Sequence, residues 1–152
     1  MDVFAGISRL SSTSGTPESD SSGAGNNVLG LKWRVYDNES GTTSIAIKPQ
    51  YLFPVSPANE ASGFGSGRTS YGLTAILTRE MPFGAIHANL FSGRTRYRDT
   101  AVNRHASPFH ASVAATWNLN DAWKLALDLG TKAVRTGVGT LRADYVELGA
   151  VF

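Results

Sequence analysis

Apolar and polar residues alternate one by one along most of this chain. In residues 31–53, Leu31, Trp33 and Val35 are apolar, and Lys32, Arg34 and Tyr36 lie between them. After DNESG the alternation resumes, with Ile45, Ile47, Pro49, Tyr51 and Phe53 set against Ser44, Ala46, Lys48 and Gln50. Successive side chains of a strand point to opposite faces, so this stretch predicts a hairpin with one apolar and one polar face. The same period predicts about eight strands, at 1–10, 27–37, 43–53, 69–80, 84–95, 108–119, 122–133 and 141–152. No stretch carries a helical period.

The expected connections differ in length. DNESG, MPFG at 81–84 and NLNDA at 118–122 are tight, whereas 11–25, 54–68 and 96–108 are long and 135–142 is intermediate. In an up-and-down meander alternate connections lie at opposite ends. One end is therefore expected to carry the tight turns and the other the long loops, as in outer-membrane barrels.

Parity along the strands separates two sets. One is nearly free of charge and includes Leu31, Trp33, Ile45, Leu73, Leu77, Leu90, Val113, Leu125, Leu129, Val146 and Leu148. The other holds Lys32, Arg34, Lys48, Gln50, His87, Asn89, His110, Lys124, Asp128 and Glu147, with small residues such as Gly30, Gly72, Gly130 and Gly149. Aromatics of the apolar set gather at strand ends. Trp117, Trp123 and Phe152 lie toward the tight-turn end with Phe83 beside them, and Tyr51, Phe53, Tyr71 and Phe109 lie toward the long-loop end. Two aromatic belts around aliphatic strand centres match the two interfaces of a bilayer. A soluble barrel would need more lysine and glutamate on the opposite face than this set offers. The apolar face is therefore expected to meet lipid and the polar face to line a lumen.

Composition narrows the picture further. Charged residues make up 17% of the 152 residues, against about 25% in ordinary soluble domains. A formal net charge of +2 with no basic run gives no argument for nucleic acid. The absence of cysteine excludes disulfides and thiolate chemistry. The opening MDVFAGISRL lacks the basic and unbroken apolar segments of a secretory signal.

The ordered series NNVLGLKWRVYDNESGTTSIAIKPQYLFPV, GSGRTSYGLTAILTREMPFGAIHANLFSG, SVAATWNLNDAWKLALDLGTKA and DYVELGAVF resembles a bacterial outer-membrane family, the MetA-pathway of phenol degradation family of transporters. The resemblance covers most of residues 26–152. It implies an outer-membrane β-barrel that passes or binds small hydrophobic or aromatic molecules. Further strands after the ELGA stretch are expected of that family, so eight strands are either a whole barrel or part of a larger one.

Candidate chemistry is sparse. His87, His105 and His110 match no zinc spacing, so no metal or cofactor is expected. His87, Asn89, His110 and Ser112 share a face on neighbouring strands, but no carboxylate is expected to orient a histidine there, so a polar hydrogen-bond network is expected rather than a hydrolase. GFGSGRT at 63–69 lacks the lysine and the following helix of a phosphate loop and reads as a flexible outer loop. Arg94, Arg96, Arg98 and Arg104 are expected to belong to an ordinary solvated loop, with lipopolysaccharide phosphates as the alternative partner. The expectation is an antiparallel up-and-down transmembrane β-barrel of the bacterial outer membrane. It is expected to be a non-enzymatic channel or uptake protein for small compounds, aromatic or hydrophobic ones among them. The alternatives are a sealed structural barrel and a soluble lipocalin-like binder. Outer-membrane lipid and small aromatic solutes are the expected partners.

Overall fold

Backbone pairing turns the alternating pattern into one continuous sheet. The computed structural model describes residues 1–12, 21–100 and 105–151. Its strands are β1 (Asp2–Gly6), β2 (Arg9–Ser12), β3 (Ser21–Ala24), β4 (Val28–Asp37), β5 (Thr43–Leu52), β6 (Ser70–Met81), β7 (Gly84–Arg94), β8 (Ala106–Asn118), β9 (Lys124–Thr136) and β10 (Gly139–Val151). A single-turn helix, α1 (Pro57–Ala61), lies between β5 and β6. Eight strands form one antiparallel sheet in the order β1-β4-β5-β6-β7-β8-β9-β10, and β2 and β3 form a separate hairpin. The class is all-β and the topology is the expected meander. The sheet is not closed, because β1 and β10 do not pair with each other. The expected first strand, 1–10, is in fact β1 and β2, broken at Ile7 and Ser8.

Burial shows which way the sheet bends. Along β6 exposed and more buried positions alternate strictly from Ser70 to Thr78. The exposed positions are the apolar ones: Leu73 is 50% exposed, Val113 52% and Trp117 54%. On the polar parity Ser112 is 7% exposed and Gly72 is buried. Among the described residues the strands of the sheet pack only on their paired neighbours, so away from the loop end this difference comes from curvature, which crowds side chains on the inside of the bend and splays them on the outside. The polar face is the inner one. The curve is tightened by rings laid on glycines: Phe4 directly opposes Gly30, and Tyr145 directly opposes Gly130. A Cβ on Gly130 would come 2.5 Å from Tyr145 Cζ, so the ring occupies the place of the missing side chain.

The tight turns are built by side chains. Asn38 Oδ1 accepts from the Thr43 backbone N–H at 2.8 Å, and Gly41 supplies the positive φ of 66° that the β4–β5 turn requires. Asn120 Oδ1 accepts from the backbone N–H groups of Ala122 and Trp123, both at 2.9 Å, which holds Trp123 at the start of β9. Two expectations are corrected here. The β9–β10 connection is itself tight, only Gly137 and Val138, and lies at the long-loop end, so tight turns are not confined to one end. And Tyr36 leaves the polar set. A bulge between Arg34 and Tyr36 shifts the register so that Tyr36 opposes the apolar-face Ile45 and Asp37 opposes Ser44.

The long loops are packed together. Asn26 Nδ2 donates to Phe53 O at 2.7 Å and Ser66 O at 2.9 Å, and its Oδ1 accepts from the Ser66 N–H at 2.8 Å. Asn59 Nδ2 donates to Ala24 O at 3.0 Å, and the buried Glu60 accepts from the Arg98 N–H at 2.7 Å. Ser66 and Ser70 are each 1% exposed, and their hydroxyls lie 3.0 Å apart. Ser70 has inner-face parity, so the loop leans inward over that end of the sheet. Residues 63–69 are thus built into a cap with Val55 and Phe64 buried in it, not the flexible loop expected. The helix was illegible because one turn is too short to show a period; it is held by Ser56 Oγ, which accepts from Asn59 N at 3.2 Å, and by Pro57 at its first position.

Candidate functional site

Register decides which inner-face side chains become neighbours. Lys48 opposes Thr74, Thr74 opposes Phe91, Phe91 opposes His110, and His110 opposes Lys132. The register that pairs Gly30 with Gln50 and Trp33 with Ile47 puts Lys32 beside Lys48. One level of the inner face therefore carries Lys32, Lys48, His110 and Lys132 with a phenyl ring among them. Four residues along each strand, or five along the bulged β4, toward the tight turns, lies a second level. There Asp37, Ser44, Thr78, His87, Ala114, Asp128 and Glu147 oppose one another in sequence across seven strands. The two levels are a basic belt and an acidic one, about 13 Å apart along the strands at the usual rise.

Like charges side by side on a sheet repel. No lysine of the basic belt closes an ion pair among the described residues, where the ion pairs are Arg34–Asp37 at 2.9 Å and Arg142–Asp144 at 3.1 Å. Lys48 Nζ instead lies 4.6 Å from the centre of the Phe4 ring, and Lys132 Nζ 4.5 Å from that of Tyr145. Cation–π contact holds the ammonium groups in place without neutralising them. Asp2 lies opposite Lys32 on β1. With Arg34, Asp37, Thr78 and Glu80 this pair lines a cavity of about 390 Å³ on the inner face.

Tyr145 joins the two belts. Its hydroxyl donates to Asp128 Oδ2 at 3.3 Å and lies 2.7 Å from His110 Nε2. A phenol hydroxyl has one proton, so His110 must donate from Nε2 and the chain runs His110 to Tyr145 to Asp128. The other oxygen, Asp128 Oδ1, is buried with no hydrogen-bond partner. Sequence parity shows no carboxylate that orients a histidine; Asp128 does so through Tyr145. The remaining polar residues pair elsewhere. His87 Nδ1 lies 3.0 Å from Thr78 Oγ1, and Asn89 Nδ2 donates to Ser112 Oγ at 3.3 Å. His87 and His110 belong to different belts, and Ser112 bonds to Asn89 rather than to histidine. Gln50 packs beside Gly72. Lys124 is exposed at the tight-turn end, and Glu147 is exposed on β10 opposite Asp128.

All ten polar residues singled out from the sequence fall on the inner face, but they form belts and pairs rather than one cluster. Tyr145 belongs to the polar set by its sequence parity, whereas Phe4 and Phe91 do not stand out in the sequence. Their polar-face parity was readable in the chain; their seats on glycines and beside cations depend on register. The outer aromatics are exposed: Tyr51 and Phe53 meet edge to face at 5.0 Å, Phe83 stacks on Trp117 at 5.0 Å, and Tyr71, Phe109 and Trp123 project outward. Tyr36 adds to the belt at the tight-turn end. Phe152 and Arg104 lie outside the described residues. No helix among the described residues is long and apolar enough to cross a membrane, which has no bearing on crossing by strands.

A comparison with curated proteins found none that matches this chain. A family model matches residues 3–141, which covers the sheet from β1 into β10. The chain belongs to the family described as "Putative MetA-pathway of phenol degradation".

Proposed function

We propose that this chain is an outer-membrane β-barrel protein, or the larger part of its barrel wall, that conducts small aromatic acids and phenols across the membrane. The observation that carries this reading is the basic belt of Lys32, Lys48, His110 and Lys132, set around Phe91 on the polar inner face of a sheet whose outer face is apolar. Three lysines at one level work against stability, so their placement calls for an anionic visitor. The phenyl rings of Phe4 and Phe91 offer a surface for an aromatic ring beside those charges. The family's description names phenol degradation, which agrees with aromatic solutes.

A second reading has its own support. The loop cap and the three inner aromatic rings fill space, as side chains do in a small sealed barrel. Conductance separates the two. The chain is reconstituted in a planar bilayer under a salt gradient. The expected result is a current whose reversal potential lies toward the anion side, and benzoate uptake into vesicles. Lys48→Glu with Lys132→Glu is expected to move that potential toward the cation side. A folded, inserted protein without current or uptake would establish the sealed barrel.

A further inference from the structure

The outer face is mostly apolar: besides Arg79 near the tight turns and the paired Arg142 and Asp144 on β10, its charges lie in a row near the long-loop end. Arg94 on β7 donates to Ser107 Oγ on β8 at 2.9 Å, and Ser107 directly opposes Arg135 on β9. Both arginines are exposed, and neither meets a carboxylate within ion-pair distance among the described residues. Two strand spacings, about 10 Å, separate their backbones, so both guanidinium groups can close on one tetrahedral anion between them. They lie at the edge of a cavity of about 440 Å³ that His105 also lines.

The row lies at the upper edge of the apolar band. Arg94 is level with Tyr71, and Ser107 is two residues beyond Phe109 toward the loops. Below it the outer face changes in order. First comes a cavity of about 380 Å³ floored by Ser92, Phe109 and Ala133. Then comes an apolar groove of about 630 Å³ over Ala75, Ala88 and Ala111, walled by Leu77, Leu90 and Val113. Small residues make the groove: three alanines sit where the surrounding positions carry Leu or Val. From the arginines to Ala111 is four residues, about 13 Å along the strand. That is the order of groups in a phosphate-bearing lipid: phosphate, ester region, acyl chain.

We propose that the outer face of β6–β9 holds one phosphate-bearing lipid, its phosphate clamped by Arg94 and Arg135 and its acyl chain laid in the alanine groove. This rests on the membrane reading, and the test keeps the two apart. The chain is refolded in neutral detergent micelles, and a heat-dependent gel mobility shift reports the folded membrane protein. Native mass spectrometry then measures retention of phosphatidic acid, of diacylglycerol with the same chains, and of inorganic phosphate. Phosphatidic acid is expected to be retained, diacylglycerol and phosphate not. Arg94→Gln and Arg135→Gln are each expected to weaken retention about tenfold with the mobility shift unchanged. Ala111→Phe, which fills the groove, is expected to weaken it while leaving the arginines in place. Equal retention of diacylglycerol, or by the double arginine variant, would overturn the clamp. Competition by inorganic phosphate as effective as that by the lipid would make it a free-anion site instead. A chain that folds in buffer without detergent would sink the membrane reading and the lipid site with it.

Discussion

Tyr145 shows how much one hydroxyl can organise. It takes a proton from His110 Nε2–H into a hydrogen bond and gives its own to Asp128, while its ring fills the notch over Gly130 and carries Lys132 on its edge of the belt. Tyr145→Phe keeps the ring and removes the hydroxyl. It strands two part-buried polar groups, so it is expected to cost about 1–3 kcal/mol in urea unfolding from micelles. Gly130→Ala attacks the same contact from the other side. The new methyl would meet the ring at 2.5 Å, so the ring must swing away and give up both hydrogen bonds, for a loss of about 1–3 kcal/mol. If Gly130→Ala is neutral while Tyr145→Phe is not, the ring does not sit on the glycine.

At the scale of elements, β4 to β10 were plain in the chain because each runs ten or more residues with a period of two, whereas β3 lies inside the expected long loop. What escaped were the short or irregular parts. The bulge at Arg34–Tyr36 reverses parity in mid-strand, and its reward is local: Asp37 turns inward to meet Arg34. The cap was illegible because its order comes from hydrogen bonds between residues about forty positions apart, such as Asn26 and Ser66. Asn26→Ala would remove one side chain that serves two carbonyls and an amide. The expected result is loss of about 1–3 kcal/mol and, more selectively, fast amide exchange in 53–69 with the sheet still protected. Uniform exchange across the sheet would mean that the cap and sheet unfold together.

For the whole molecule the question is what covers the outer face. Val113 lies midway between Phe109 and Trp117 on β8, at the centre of the apolar band. If lipid covers that face, Val113→Arg should cost about 2–4 kcal/mol, and Leu119→Arg, in the turn, no more than about 1. Liposome refolding titrations compare them. Equal small costs at both positions would mean that the face is not in lipid. The acidic and basic belts make a second prediction at this scale: anion preference should fade as salt rises from 0.1 M to 1 M, because the screening length falls from about 10 Å to about 3 Å.

Read alone, the chain specifies its two faces, its turns and its class, because side-chain direction in a strand follows from parity and needs no partner. The ten inner polar residues could be placed on one face on those grounds. Which of them meet could not be read, because neighbours on a sheet are set by register, and register belongs to pairs of strands. Lys48 and Lys132 lie 84 positions apart in the chain, and only the pairing through β6, β7 and β8 brings them to one level. The same holds for the Asp128–Tyr145–His110 relay, the parity reversal at Tyr36 and the Arg94–Ser107–Arg135 row. Each is a relation between strands, made when backbone hydrogen bonds choose one alignment out of many.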